Sequence, residues 1–279
     1  MRKRRTIAAP VVFRGIGIHS GESSSVRLLP LHDGHGICFS FGGNRYPITD
    51  ARVSETRRST SIAFPGGQTA RTVEHLLASF AGLDVDDVTV ETEGEELPIM
   101  DGSALPFAEG IMEAGIEEKD EPAPQTGLSF PICADRGASS AIALPSDELR
   151  ITYVIDYPGA LGTEMKDVIL TPEAFMKEIA PARTFGLRSE IEALRRSGLA
   201  RGGRLDNALI IGENGPENDA YRLERECAAH KMLDLLGDLS LAGTLMRAHY
   251  ICIRGGHELH AMLTDRVRTF KSVKGALIK

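Results

Sequence analysis

The stretch Ala229-His230-Lys231-Met232-Leu233-Asp234-Leu235-Leu236-Gly237-Asp238 is the part of the chain around which the rest is organised. Its surroundings, residues 223 to 241, have helix formers and apolar residues at 3.6-residue spacing and no proline, which predicts a helix. On a helix, His230 and Asp234 point in the same direction, and Asp238 follows one turn later. An imidazole and a carboxylate so placed can bind one divalent ion. A polar stripe that faces solvent would show the same spacing.

The composition predicts a globular protein that is long enough for two domains. The chain has 279 residues, of which 42% are hydrophobic and 25% are charged. Its net charge of -7 and its one short cationic run, Arg2-Lys3-Arg4-Arg5, do not indicate binding to nucleic acid. We expect neither a signal peptide nor a transmembrane segment, since no stretch approaches ~18 apolar residues. Four scattered cysteines favour the cytoplasm over an oxidising compartment.

A charged and then proline-rich run, residues 117 to 127, is the best candidate for a domain boundary because it has almost no apolar content. We therefore predict an N-terminal domain of residues 1–121 and a C-terminal domain of residues 128–279. Both halves mix strand patterns with helix patterns. Besides the helix already described, helices are predicted at residues 72–82, after the turn at 98–107 through about residue 114, from 171 to about 180, and at 189–197.

A second candidate site segment is Thr72-Val73-Glu74-His75-Leu76, at the start of one of these helices. Thr72 is a suitable N-cap, which places Glu74 and His75 in the first turn. Adjacent helical residues diverge by ~100°, so both cannot bind one ion with the same geometry. One can bind a metal while its neighbour reaches the metal-bound water. A third segment, Arg254-Gly255-Gly256-His257, is predicted to be a turn after a strand that presents His257.

Together these residues match the ligand set of a catalytic zinc site. Two histidines and one carboxylate leave a fourth position for water, whereas structural zinc favours four protein ligands rich in cysteine. The set predicts hydrolysis, in which Glu74 accepts a proton from water and a cationic His257 protonates a leaving nitrogen. From spacing alone, a coincidence of common residues remains the alternative.

Two other motifs are interpreted as structural. The stretch Gly15-Ile16-Gly17-Ile18-His19-Ser20-Gly21 lacks the spacing and the Lys-Ser/Thr ending of a phosphate loop, so we predict a strand and a turn, with His19 structural rather than catalytic. Asp101 is a turn former or an acid behind the metal ligands, and we favour the turn.

Five blocks in order along the chain resemble the UDP-3-O-acyl-N-acetylglucosamine deacetylase family. They are Thr72-Val73-Glu74-His75-Leu76, Pro98-Ile99-Met100-Asp101-Gly102-Ser103, Ala182-Arg183-Thr184-Phe185-Gly186, His230-Lys231-Met232-Leu233-Asp234 with Gly237-Asp238, and Gly255-Gly256-His257. The resemblance implies the zinc-dependent amidohydrolase of lipid A synthesis, which removes acetate from the glucosamine nitrogen of a UDP-linked, acylated sugar. It also implies an α+β fold class: two domains, each a β-sheet layered against α-helices, with the active site at the domain interface.

The resemblance also implies a role for each matching residue. The zinc ligands would be His75, His230 and Asp234, with Glu74 as general base and His257 as general acid. Thr184 would stabilise the oxyanion, Phe185 would line the sugar site, Lys231 would contact substrate phosphate, and Asp238 would keep His257 charged. The alternatives are core packing for Phe185 and a solvated helix lysine for Lys231. No feature indicates an obligate protein partner.

The chain departs from the family pattern at three places. Where a His-Pro pair is usual, Tyr157-Pro158-Gly159-Ala160-Leu161-Gly162 stands instead, in a shorter insert beside the acyl-chain passage. Arg58 replaces a common apolar residue near the mouth of that passage, and His260 replaces a usual asparagine. These departures leave open a zinc deacetylase of another acylated amino sugar. A catalytically silent metal-binding homologue is the other alternative, but Glu74 and His257 are both present.

Overall fold

The computed structural model describes residues 2–124 and 127–277, and side chains as far as residue 272. Its helices are α1 (Glu74–Gly82), α2 (Leu105–Glu113), α3 (Pro172–Glu178), α4 (Arg188–Arg196), α5 (Glu226–Ser240) and α6 (His257–Leu277). Its strands are β1 (Lys3–Ile7), β2 (Val11–Ile16), β3 (Ser23–Pro30), β4 (Ile37–Phe41), β5 (Asn44–Pro47), β6 (Arg52–Glu55), β7 (Ser61–Ala63), β8 (Thr69–Arg71), β9 (Val88–Glu93), β10 (Ile116–Pro122), β11 (Ile132–Arg136), β12 (Ser139–Pro145), β13 (Arg150–Asp156), β14 (Thr163–Ile169), β15 (Phe185–Leu187), β16 (Leu209–Gly212), β17 (Gly215–Pro216) and β18 (Ala248–Ile253).

Two five-stranded sheets with the same topology form the framework. The first has the order β2-β3-β9-β4-β5, and the second has the order β11-β12-β18-β13-β14. In each, a late strand lies between two hairpins, antiparallel to one neighbour and parallel to the other. Helices pack against both sheets, which confirms the α+β fold class and gives two similar halves. No helix in the described ranges is long and apolar enough to cross a membrane.

Helices α1 and α5 bring the two halves together. Every residue of α5 except Lys231 is buried, so its polar residues do not form a solvent-facing stripe. The two helices come so close at Gly237 that a Cβ atom added there would lie 2.1 Å from the carbonyl oxygen of Glu74. A glycine inside a helix costs about 1 kcal/mol relative to alanine. Here it permits the contact that places the first turn of α1 beside the middle of α5.

The start of α1 differs from the prediction. Helix α1 begins at Glu74, with Val73 at the N-cap position and no side-chain cap. Thr72 was the predicted cap, but its φ is 56° and its hydroxyl group donates to the carboxylate of Glu96. A buried acceptor 24 positions away in the sequence therefore competes successfully with the local capping bond. The predicted cap of α3 is confirmed, because Thr171 Oγ1 accepts a hydrogen bond from the N–H of Ala174.

The charged run at the predicted boundary forms a strand rather than a linker. Strand β10 pairs with β1, which contains most of the cationic run near the start of the chain. Opposite charges meet across this pair, as in the ion pair between Arg5 and Glu118. A strand whose central residues are all charged is stable here because its cross-strand neighbours carry the opposite charge. Residues 125 and 126 of the predicted boundary lie outside the described ranges, and the two domains remain a prediction.

Candidate active site

Three donor atoms converge where α1 meets α5. The Nε2 atoms of His75 and His230 lie 3.8 Å and 3.5 Å from the same oxygen of Asp234, Oδ1. The two imidazole rings are nearly perpendicular, with centroids 5.1 Å apart. All three side chains are buried. Donor atoms that bind one zinc ion tetrahedrally at ~2.0–2.1 Å are about 3.4 Å apart, so these separations suit such an ion.

The remaining atoms of these side chains leave the convergent atoms free for a metal. His230 donates its Nδ1–H to the carbonyl oxygen of Ala182 at 3.1 Å, which leaves a lone pair on Nε2. Lys231 donates to Oδ2 of Asp234 at 2.8 Å, which leaves Oδ1. His75 Nδ1 has no hydrogen-bond partner within the described residues. Nitrogen and oxygen donors of this kind fit zinc.

The protonation states of the three side chains also fit a divalent cation. Burial lowers the pKa of His75 to about 3 and also lowers the pKa of His230, so both rings are neutral at neutral pH. Burial alone would raise the pKa of Asp234, but the nearby charge of Lys231 outweighs it and holds the pKa well below its ordinary value. The cluster therefore offers two neutral imidazoles and one carboxylate.

Glu74, the first residue of α1, lies across a narrow gap from His257. Its Oε2 atom accepts a hydrogen bond from the backbone N–H of Thr60 at 3.1 Å. Its Oε1 atom lies 3.9 Å from Nε2 of His257. Burial raises the pKa of Glu74 to about 8, although the positive charge of His257 opposes this rise. The two side chains thus face each other at a distance that leaves room for a small reacting group.

His257 is fixed from behind by Asp238. Its Nδ1 atom lies 2.9 Å from Oδ2 of Asp238, and its Nε2 atom lies 3.8 Å from Oδ2 of Asp234. Burial alone would lower the pKa of His257, but the carboxylate of Asp238 outweighs it and raises the pKa to about 9. His257 was predicted to lie on a turn, but it is the first residue of α6. The glycines before it form the turn, and the helical bond from the His260 N–H to the Gly256 carbonyl sets the start of the helix.

The three residues with predicted substrate roles lie beside this cluster. The backbone N–H of Thr184 donates to the carbonyl of Gly102 at 2.7 Å, which places Thr184 in the cavity wall. The Nζ atom of Lys231 lies 5.7 Å from the centre of the Phe185 ring, so Lys231 is not a solvated helix lysine. Tyr157 packs edge-on against Phe185 at 5.5 Å, which places part of the altered insert next to the site.

Thr60 is a residue of the site that the sequence analysis missed. Its hydroxyl group donates to Oδ1 of Asp238 at 2.5 Å and lies 3.1 Å from Nδ1 of His257. Through its backbone N–H it also binds Glu74. It lies in a loop between two short strands, with no local pattern around it. Its partners are 14, 178 and 197 positions away in the sequence, so no spacing signal could have indicated it.

His19 and Arg58 line the same cavity, which measures about 40 Å³. His19 is held by a bond from its backbone N–H to Glu96 at 2.9 Å, as expected of a structural residue, but its Nε2 atom has no partner in the described part of the chain. Arg58 has a φ of 69°, and its guanidinium group binds Glu190 of α4 at 2.8 Å. The wall thus includes an arginine whose charge is paired with an acidic residue of α4.

Asp101 and a larger cleft lie outside this arrangement. Asp101 accepts hydrogen bonds from the N–H and the hydroxyl of Ser103, which confirms the predicted turn. A cleft of about 620 Å³ lies elsewhere and contains none of the predicted site residues. Arg2, one of its charged residues, is already paired with Asp86. We therefore place the site at the smaller cavity, where the titratable groups converge.

The chain as a whole matches one protein family. A sequence model of the UDP-3-O-acyl N-acetylglycosamine deacetylase family matches residues 4–269. The chain belongs to this family.

Several curated relatives bear the name UDP-3-O-acyl-N-acetylglucosamine deacetylase. The relative from a Nostoc species is 41% identical over 276 residues, which is 95% of this chain and 98% of the relative. The relative from Leptospira biflexa is 39% identical over 93% of this chain and 88% of its own length. The relative from Chlamydia caviae is 37% identical over 95% of this chain and 97% of its own length.

Proposed function

We propose that this protein is a zinc-dependent deacetylase that removes acetate from the glucosamine nitrogen of UDP-3-O-(3-hydroxyacyl)-N-acetylglucosamine, the committed step of lipid A synthesis. The observation that carries the proposal is the convergence of three buried donor atoms, from His75, His230 and Asp234, in a chain that belongs to this family. His75, His230 and Asp234 would hold the zinc, which would supply Lewis-acid chemistry for hydrolysis of the acetamide.

Glu74 acts as the general base. Its Oε1 atom faces the gap and accepts the proton of the water that attacks the acetamide carbon. Glu74 must be ionised to accept a proton, and the positive charge of a zinc ion held nearby would favour the ionised form against burial, which raises the pKa of this carboxyl. The bond from the Thr60 N–H holds the other oxygen, so Oε1 points into the gap. The hydroxyl group of Thr184 stabilises the negative charge that develops on the acetamide oxygen.

His257 acts as the general acid. When the C–N bond breaks, the leaving glucosamine nitrogen takes the proton from Nε2 of His257. Asp238 keeps the ring charged, because a buried carboxylate beside an imidazole raises its pKa, here to about 9. Lys231 binds substrate phosphate with its charge, and Phe185 packs against the sugar. The overall reaction consumes one water and releases acetate and a free amine.

Three further parts of the proposal concern the molecule as a whole. Two domains, residues 1–121 and 128–279, are supported by the two sheets of equal topology. A cytoplasmic location is supported by four free cysteines, three of them buried. The alternative substrate, another acylated amino sugar, is supported by the ion pair between Arg58 and Glu190 beside the site.

Removal of the metal tests the proposal. Chelation should abolish acetate release from the acylated UDP-sugar, and one equivalent of zinc should restore it, because water at neutral pH is too weak a nucleophile for an amide. Excess zinc should inhibit, since Glu74, Asp234 and His257 form a second group of convergent donor atoms. The measurement is acetate released per protein against metal content. Full activity in a metal-free preparation would contradict the proposal.

A further inference from the structure

The carboxylate of Asp238 is shared by two histidines. Its Oδ2 atom lies 2.9 Å from Nδ1 of His257 and 2.8 Å from Nδ1 of His260. An ionised carboxylate only accepts hydrogen bonds, so both Nδ1 atoms carry a proton and donate to the same oxygen. His260 is completely buried and lies one turn after His257 on α6. It does not line the cavity and therefore takes no direct part in the proposed reaction.

The far side of the His260 ring is fixed by Tyr153. The hydroxyl oxygen of Tyr153, on β13, lies 2.8 Å from Nε2 of His260, and the two rings are perpendicular. The turn before His257 rests on the same group. A Cβ atom at Gly255 would lie 2.7 Å from this hydroxyl oxygen and 2.2 Å from Sγ of Cys252. The sheet of the second half thus supports His260 and the turn that leads to His257.

These bonds determine the orientation of the Asp238 carboxylate. A carboxylate held at one oxygen can rotate about its bond to Cβ, because this torsion has a broad energy minimum. Here Thr60 binds Oδ1 while His260 and His257 bind Oδ2, so rotation would break bonds on both sides. With the carboxylate fixed, the Nδ1–H of His257 faces two fixed acceptors that lie side by side, Oδ2 of Asp238 at 2.9 Å and the hydroxyl oxygen of Thr60 at 3.1 Å. Its Nε2 atom then points at the gap in front of Glu74.

We propose that His260 is a positioning residue for deacetylation: its Nδ1–H fixes Asp238, Asp238 fixes the ring of His257, and the hydroxyl group of Tyr153 holds His260 in place. This inference rests on the proposed function, in which His257 is the general acid. A misdirected proton donor slows the chemical step and leaves substrate binding unchanged. Loss of the Asp238 bond should therefore lower kcat without changing KM.

A matched pair of substitutions separates this role from packing. Asparagine and leucine have nearly the same shape, but only asparagine keeps a side-chain N–H that can reach Asp238. We expect His260→Leu to lower kcat by about 10- to 100-fold, with KM within about threefold of the wild type and zinc content unchanged. His260→Asn should keep kcat within about threefold of the wild type. The control is His249→Asn on β18. His249 is a half-buried histidine that bonds to Thr152 away from the site.

A second readout does not depend on turnover. The Nδ1 proton signal of His257 in the NMR spectrum of the zinc-loaded protein should be sharp in the wild type and in His260→Asn, and exchange-broadened in His260→Leu. This NMR signal distinguishes a failure of this inference from a failure of the proposed function. If the proposed function were wrong, the wild type would release no acetate. If His260→Leu does not fold, Tyr153→Phe takes its place and should lower kcat with KM unchanged. Wild-type kcat in the folded leucine or phenylalanine variant, or equal losses in the asparagine and leucine variants, would overturn the proposal.

Discussion

Two buried clusters of charged side chains in this protein have similar burial but opposite hydrogen bonding. In the cluster around Asp87, both carboxylate oxygens are bonded: to Arg4, to the Nζ of Lys119 at 3.0 Å and to the N–H of Gly36 at 2.8 Å. In the candidate metal cluster around Asp234, donor atoms lie 3.5 to 3.8 Å apart and do not bond to one another. Removing one member of a buried charge pair destabilises a fold because the other is left unpaired, whereas convergent unpaired donors leave room for an ion.

The largest expected effect concerns the site. Glu74→Gln should lower kcat on the order of 10²- to 10⁴-fold and keep the zinc, because in the proposed mechanism Glu74 moves a proton and is not a ligand. His75→Ala should lose the metal itself, because it removes one of three ligand atoms. The measurements are kcat and zinc content of each purified variant. If Glu74→Gln lost its zinc as completely as His75→Ala, the roles assigned to these two neighbours would be wrong.

The next expected effect concerns the other cluster. Asp87→Asn should lower the free energy of unfolding by about 3 to 5 kcal/mol, because it leaves two buried cations without their partner, and it should leave kcat unchanged. Denaturant unfolding followed by a kinetic assay of the folded protein measures both. The control is Asp120→Asn on β10, where a fully exposed carboxylate lies 3.3 Å from Lys3 and should matter little. Equal losses at the two positions would contradict the comparison.

The same variant has a defined pH dependence. Burial alone would raise the pKa of Asp87, but the hydrogen bonds from Arg4, Lys119 and Gly36 outweigh it and lower the pKa. Asp87 therefore contributes stability above the ordinary carboxyl pKa of about 3.9, and this contribution is lost as the pH falls through the lower pKa of the folded state. The difference in unfolding free energy between wild type and Asp87→Asn should shrink over this acid range. A difference independent of pH would exclude Asp87 as its source.

The two clusters also differ in how far the sequence could predict them. Helical periodicity placed His230 and Asp234 on one face of a helix. Residue type, together with a helix start and a turn, added Glu74, His75 and His257, and the resemblance supplied the remaining site residues. Nothing local indicated Thr60 or the bond between His260 and Tyr153, which joins residues 107 positions apart.

For the fold, most elements with a strong local pattern were predicted, whereas strand β10, which depends on its partner, and helix α6 were not. Helix α3 has its capping threonine and a proline in its first turn, and both signals are local. Strand β10 has no apolar alternation, and it forms because its acidic residues face the basic residues of β1. The same electrostatic pairing, extended to Lys119, completes the cluster around Asp87. Periodicity cannot show such a partner.

The smallest expected effect concerns a third, exposed charge pair at the edge of the candidate site. Arg58 and Glu190 are 44% and 37% exposed, so their ion pair is worth about 0.2 to 1 kcal/mol. Its position in the cavity wall matters more than its strength. Each methylene of an acyl chain gains ~0.8 kcal/mol in an apolar passage, and a charged pair at the mouth shortens the part that can give this gain.

We therefore predict that kcat/KM rises with acyl length and reaches a plateau early, and that Arg58→Leu moves the plateau to longer chains. The expected gain is about fourfold for each additional methylene that enters the passage, since ~0.8 kcal/mol corresponds to that factor. The measurement is kcat/KM over a series of acyl lengths for the wild type, for Arg58→Leu and for Arg57→Leu. The last variant is the control, because Arg57 is the neighbouring arginine and is also exposed. A control variant that behaves like Arg58→Leu would point to net charge instead of position. A steep rise through the longest chains in the wild type, unchanged by Arg58→Leu, would mean that a full apolar passage forms despite the ion pair.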